Sequence, residues 1–331
     1  MKSIAIGLLM FASITARAAV FGADNRYPVT EISPAFGMSH ATAIAVLSAN
    51  ATLNKAGRID LDVDRLTNLC KDEPLANEPS LSYSCTGFLI APDLLVTAGH
   101  CVYAVNTANQ ELKHETKLAC EVFSWLFDYQ NTVTSEAATK NLGPDRLYRC
   151  KEIIYARQTE KAPFLDYALI RLDRPALGRT PFKLASMPVS VGMAVAMIGY
   201  PFGTPAKLTN SAQVTLNNTA RDSFLTSLDA FEGNSGSPVF NAAHEIVGIL
   251  VGGTPTANTY ADPKLGCERV NRCTENGAVC NVSDTEAGIK LLMGYQGVGS
   301  EVQRIQPIID LIHPVALAVA VAPPISPAPA K

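Results

Sequence analysis

Through the middle of the chain, apolar residues come in short runs rather than at helical spacing. Thr42–Leu47, Cys85–Ile90, Leu94–Thr97, Ala168–Leu172, Ala194–Tyr200, Gln213–Leu216, Pro238–Phe240 and Ile246–Val251 are the clearest. β-Branched residues are common in them, and Gly, Pro, Asn and Asp punctuate the gaps. Segments of this length and make-up predict strands. Many of them at fairly even spacing predict an all-β sandwich or barrel rather than a parallel α/β sheet.

The strands are interrupted at Asp173–Thr180, where Arg174-Pro175 and Gly178 fall together. A boundary there divides the chain into an N-terminal β-domain with an N-terminal extension (19–175) and a C-terminal β-domain (176–312). Within Glu301–Ile312, apolar residues at Val302, Ile305, Ile308, Ile309 and Ile312 have the spacing of one amphipathic helix, with Pro307 expected to kink it. The remaining stretch, His313–Lys331, is rich in Pro, Ala and Val and reads as an extended tail, because its prolines forbid a spanning helix.

Composition narrows the setting. Of 331 residues, 47% are hydrophobic and 17% charged, and the net charge of −3 gives no basic excess to attract nucleic acid. Lys2 is followed by an apolar stretch from Ile4 to Ile14, with small residues at Ala16 and Ala18, which predicts an export signal over residues 1–18. The stretch is short for a bilayer span, so no membrane anchor is expected and the mature chain is expected in the periplasm or outside the cell. Eight cysteines fit that compartment as disulfides. Cys85 with Cys101 and Cys120 with Cys150 are the expected pairs. Cys70, Cys267, Cys273 and Cys280 are left with three possible connectivities. A zinc site in the last three cysteines is disfavoured, because their spacing is not that of a zinc knuckle.

Three motifs carry chemistry. Thr97-Ala98-Gly99-His100-Cys101 is followed by Asp166-Tyr167-Ala168-Leu169-Ile170 and then by Glu232-Gly233-Asn234-Ser235-Gly236-Ser237-Pro238. A base, the group that orients it and a nucleophile in the order His…Asp…Ser differ from the other serine-hydrolase orders. An α/β-hydrolase elbow is excluded, because Ser237 stands where its second glycine belongs and no long amphipathic helix follows.

These motifs resemble the trypsin/chymotrypsin-like serine peptidases. Asn234 and the turn Gly199-Tyr200-Pro201 bring the chain nearest to the bacterial branch that includes the glutamyl endopeptidases. The resemblance spans roughly residues 28–312. It implies two antiparallel six-stranded β-barrels with the site in the cleft between them, and hydrolysis of protein or peptide substrates without metal or organic cofactor. His100 would be the base, Asp166 its orienter and Ser235 the nucleophile, with the N–H groups of Gly233 and Ser235 as the oxyanion hole.

Departures from the pattern bear on activation and specificity. Asn234 is neutral where the digestive members carry the aspartate that receives a new N-terminal ammonium. Leu250 stands where glutamyl members carry a histidine for the substrate carboxylate. Asp229, six residues before Ser235, aligns with the carboxylate at the base of the primary pocket in trypsin; either it meets a substrate cation, which predicts cleavage after Arg or Lys, or it caps a loop and the pocket is apolar. Gly252 and Gly253 would form the pocket wall beside the substrate strand. Two rival readings are a non-catalytic relative that binds proteins through the same barrels, and an esterase with the same triad.

Overall fold

A computed structural model describes residues 19–81, 85–102, 104–106, 111–113, 120–130, 139–159, 164–217, 221–254, 257–282 and 297–312. The expected export signal and the Pro/Ala-rich tail lie outside them. Six strands build a first closed barrel: β1 (Thr42–Leu47), β2 (Thr86–Ala91), β3 (Leu94–Thr97), β4 (Phe123–Phe127), β5 (Leu147–Gln158) and β6 (Asp166–Leu172). Six more build a second: β7 (Ala194–Gly199), β8 (Lys207–Leu216), β9 (Ser223–Thr226), β10 (Pro238–Phe240), β11 (Glu245–Thr254) and β12 (Gly299–Arg304). All the pairings that close the two barrels are antiparallel.

Both barrels follow one path. The first runs β1-β2-β3-β6-β5-β4 and returns to β1; the second runs β7-β8-β9-β12-β11-β10 and returns to β7. Closure leaves neither sheet with a free edge of its own. In β1 every residue but Leu47 is buried, as expected of a strand covered on both faces. Ile44, Val46, Phe88, Leu89, Leu95, Val96, Trp125 and Leu126 all join one buried apolar cluster, neighbours along a strand facing opposite sides of the sheet. Each such side chain contributes about 1.5–3 kcal/mol by leaving water.

Residues 301–312 do not form one helix. Gly299–Arg304 is a strand paired with β9 on one side and β11 on the other, and a helix follows over 306–312. Val302 and Gln303, adjacent in sequence, are both fully buried. The strand therefore shows no polar–apolar alternation, and its single apolar residue, Val302, falls in helical spacing with Ile305, Ile308, Ile309 and Ile312 beyond its end. Pro307 falls in the first turn of the helix, where its missing N–H costs no hydrogen bond and it causes no kink.

The N-terminal segment precedes the first barrel in sequence but pairs with elements of the second half. Val20–Phe21 lies parallel to Arg272–Cys273, and Arg26–Pro28 pairs with β8. All eight cysteines are paired. Cys85–Cys101 and Cys120–Cys150 form as expected, and the others join as Cys70–Cys267 and Cys273–Cys280.

Candidate active site

His100 sits in the 3-10 turn Gly99–Val102 that ends β3. Cys101 ties that turn to Cys85, next to the start of β2. Asp166 opens β6, and its carboxylate holds the same histidine twice: Oδ1 accepts the His100 backbone N–H at 2.8 Å, and Oδ2 lies 2.7 Å from Nδ1. A proton held on Nδ1 by the carboxylate leaves Nε2 as an acceptor. Nε2 lies 2.7 Å from Ser235 Oγ, so the serine hydroxyl can donate to it. The three predicted residues thus meet in one hydrogen-bonded line, with His100 and Asp166 from the first barrel and Ser235 from the second.

The loop carrying Ser235 is a tight turn, in which Asn234 N–H donates to the Phe231 carbonyl and Ser237 N–H to the Asn234 carbonyl. Two glycines make it possible. Gly233 has φ +94°, and a Cβ there would lie 2.3 Å from the Tyr200 carbonyl oxygen. Gly236 has φ +87°, and a Cβ there would lie 2.0 Å from the Thr86 carbonyl oxygen. Only glycine meets both demands.

The carbonyl of Glu232 accepts from Phe202 N–H at 2.6 Å, and that of Asn234 from Ser237 N–H at 2.9 Å. In a trans peptide the N–H points opposite to the carbonyl. The N–H groups of Gly233 and Ser235 therefore face away from both acceptors, and neither has a partner among the described residues. Donors free in this way can stabilise an oxygen that becomes negative beside the serine.

Asp229 is placed differently from the sequence expectation. Its carboxylate has no accessible surface: Oδ1 accepts the Phe21 N–H and Oδ2 the Asn25 N–H, each at 2.7 Å. Burial pushes the carboxyl up to about 6, against the opposing pull of the two amides. An open carboxylate awaiting a substrate cation is not what the chain builds here, because the N-terminal segment covers it. Gly252 and Gly253, near the end of β11, stand opposite Glu301 and Ser300 of β12, and the Ser300 hydroxyl donates to the Leu228 carbonyl one residue before Asp229. Asn234, next to Ser235, is buried, and its Oδ1 has no partner among the described residues.

Ligand atoms of Cys85, Cys101 and His100 lie within 4.8 Å of one another, but the two sulfurs are bonded to each other and the imidazole is engaged by Asp166 and Ser235. That chemistry does not suit a metal. Two residues at the site escaped sequence reasoning. Thr86 donates its N–H to the Ser235 carbonyl and its hydroxyl to the Gly233 carbonyl, while Gln303 accepts the Asp166 N–H. Thr86 had one clue, its place beside Cys85. Gln303 had none, since it lay in a stretch with helical spacing.

A family model described as a trypsin-like peptidase domain matches residues 85–249. No curated protein matches the chain. Among solved structures the chain is similar to a Glu endopeptidase in complex with MPD, at 20% identity and TM-score 0.45, covering 75% of this chain and 90% of that one. It is similar also to the Rv3671c protease in its inactive form (15% identity, TM-score 0.37, 69% and 89% covered). A mutant of Rv3671c from M. tuberculosis H37Rv, also in an inactive form, matches at 16% identity and TM-score 0.35, with 68% and 87% covered. With the matched domain laid over two closed six-stranded barrels, the chain belongs to the trypsin/chymotrypsin-like family of peptidases.

Proposed function

We propose that the protein is an exported serine endopeptidase working through an acyl-enzyme. The observation that carries this reading is the unbroken line Asp166–His100–Ser235, with both side-chain links at 2.7 Å, beside two N–H groups that have no partner among the described residues. His100 takes the Ser235 proton as the oxygen attacks the scissile carbonyl, and Asp166 stabilises the imidazolium that forms. Gly233 and Ser235 N–H groups hold the tetrahedral oxyanion. His100 then gives the proton to the leaving amine, and a water molecule repeats the cycle to release the acid.

Export is supported by the leader composition of residues 1–18 and by four disulfides. Asp229 serves here as the anchor of the N-terminal segment. Cleavage after Arg or Lys would require that segment to withdraw from it. A chromogenic peptide panel checks this: turnover after Phe or Leu at least equal to that after Arg fits the sealed carboxylate, and a strong Arg/Lys preference refutes it.

The reading itself is tested by a fluorophosphonate probe and by mass spectrometry of a digested protein. Labelling at Ser235, with peptide-bond cleavage that vanishes in Ser235→Ala, is the expected result. An unlabelled wild-type chain that cuts nothing would refute it.

A further inference from the structure

Two hydrogen-bonding side chains reach the site from opposite barrels. Thr86, at the start of β2 in the first barrel, is fully buried. Its N–H donates to the Ser235 carbonyl at 2.6 Å and its hydroxyl to the Gly233 carbonyl at 2.8 Å, while its own carbonyl accepts the Thr97 hydroxyl at 2.7 Å. Gln303, on β12 of the second barrel, is equally buried. Its Oε1 accepts the Asp166 N–H at 3.0 Å and its Nε2 donates to the Asp222 carbonyl at 2.7 Å.

The peptide that Thr86 grips lies between the two that carry the free N–H groups. Its carbonyl belongs to Gly233 and its N–H to Asn234, and the latter donates to the Phe231 carbonyl at 3.0 Å. An uncompensated change of ψ at Gly233 or of φ at Asn234 would change how the two neighbouring N–H groups are aimed relative to each other. A glycine at φ +94° resists such rotation less than any other residue, so the restraint must come from outside the loop. The Thr86 hydroxyl supplies it from the other barrel. Asp166 presents the mirror case: a first-barrel residue whose backbone is fixed by a second-barrel amide.

We propose that Thr86 and Gln303 are reciprocal positioning residues, each barrel holding in place the catalytic member that the other carries. Thr86 fixes the oxyanion loop, and Gln303 fixes the acid. The proposal rests on the serine-peptidase reading of the site. Neither residue touches substrate, so each acts on how well the transition state is met.

The test uses the full chain in wild-type form and as Thr86→Val, Thr86→Ser and Gln303→Met, with kcat taken per fluorophosphonate-titrated site so that unfolded protein is not counted. Thr86→Val keeps shape and backbone but removes the hydroxyl. It is expected to lower kcat by about 10- to 100-fold with KM within about twofold. Affinity for a peptide aldehyde, whose adduct oxygen occupies the oxyanion position, falls by a similar factor, while affinity for the matching peptide carboxamide holds. Thr86→Ser restores kcat. Gln303→Met lowers kcat comparably and weakens the far-downfield proton resonance of the His100–Asp166 hydrogen bond, which Thr86→Val leaves in place. Wild-type kcat in either Thr86→Val or Gln303→Met overturns the proposal, as does an equal loss of aldehyde and carboxamide binding. An active wild type with unaffected variants defeats the positioning roles alone, whereas a wild type inert to both peptide and probe defeats the serine-peptidase reading beneath them.

Discussion

On the strands of the first barrel the buried polar side chains are all hydroxyls, those of Thr42, Thr86, Thr97 and Ser124. The strands of the second bury Lys207, Glu301 and Gln303, and Asp229 follows just beyond β9. A buried charge left alone costs several kcal/mol, so each of these must find a partner. Lys207 pairs with Glu78 at 2.7 Å, Glu301 with Arg221 at 3.0 Å, and Asp229 with the amides of Phe21 and Asn25. The partners named lie outside the barrel strands, and Glu301 also accepts the Ser223 hydroxyl of β9 at 2.6 Å. The second barrel thus uses buried charge on its strands to hold neighbouring chain, whereas the first secures its loops with Cys85–Cys101 and Cys120–Cys150. One winding path accommodates both solutions, because the path is set by strand pairing and not by which polar side chains are buried.

The contrast can be broken at four points. The largest effect falls on chemistry carried by the first barrel: Asp166→Asn leaves the geometry but presents the wrong tautomer, and kcat is expected to drop by about 10⁴-fold with little change in the melting temperature. Second comes the link between the halves. Cys70–Cys267 closes a separation of 197 residues, and its removal by paired serine substitutions should cost about 5 kcal/mol in urea unfolding.

The third effect depends on pH. Between about pH 4 and about pH 6 the folded chain keeps a proton on Asp229 that the unfolded chain has released. Wild-type stability therefore falls across that window relative to Asp229→Asn, by roughly 3 kcal/mol once the rise is complete. Unfolding midpoints of the pair at four pH values would show it, and a constant difference would mean that the two amides already offset the buried charge. The smallest effect belongs to Cys273–Cys280, separated by seven residues, whose loss should cost only about 2 kcal/mol.

What could be read from sequence was local. His100, Asp166 and Ser235 stand in motifs whose neighbours serve the same turn or strand, and the glycines beside Ser235 report a backbone that a Cβ would block. Cys85 and Cys101 flank a single strand-turn-strand unit. The failures were distant or ambiguous. Asp229 meets Phe21 across 208 positions, and nothing near either residue marks the contact. The stretch from Val302 to Ile312 repeats its apolar residues with helical spacing because a doubly buried strand leads directly into a helix, and periodicity alone does not separate the two. The attachment of residues 20–28 to the second half follows from pairing with β8 and with Arg272–Cys273, which no linear pattern encodes.

Splitting His100 and Ser235 between two barrels also sets when the proposed activity could first appear. Domains of this kind fold as units, the amino-terminal one first as the polypeptide emerges. A finished first barrel holds an imidazole with nothing to activate, and a nascent second barrel holds an ordinary alcohol. Under the proposed function, cutting ability would arise only at the last docking step, when the two barrels bring His100 and Ser235 together.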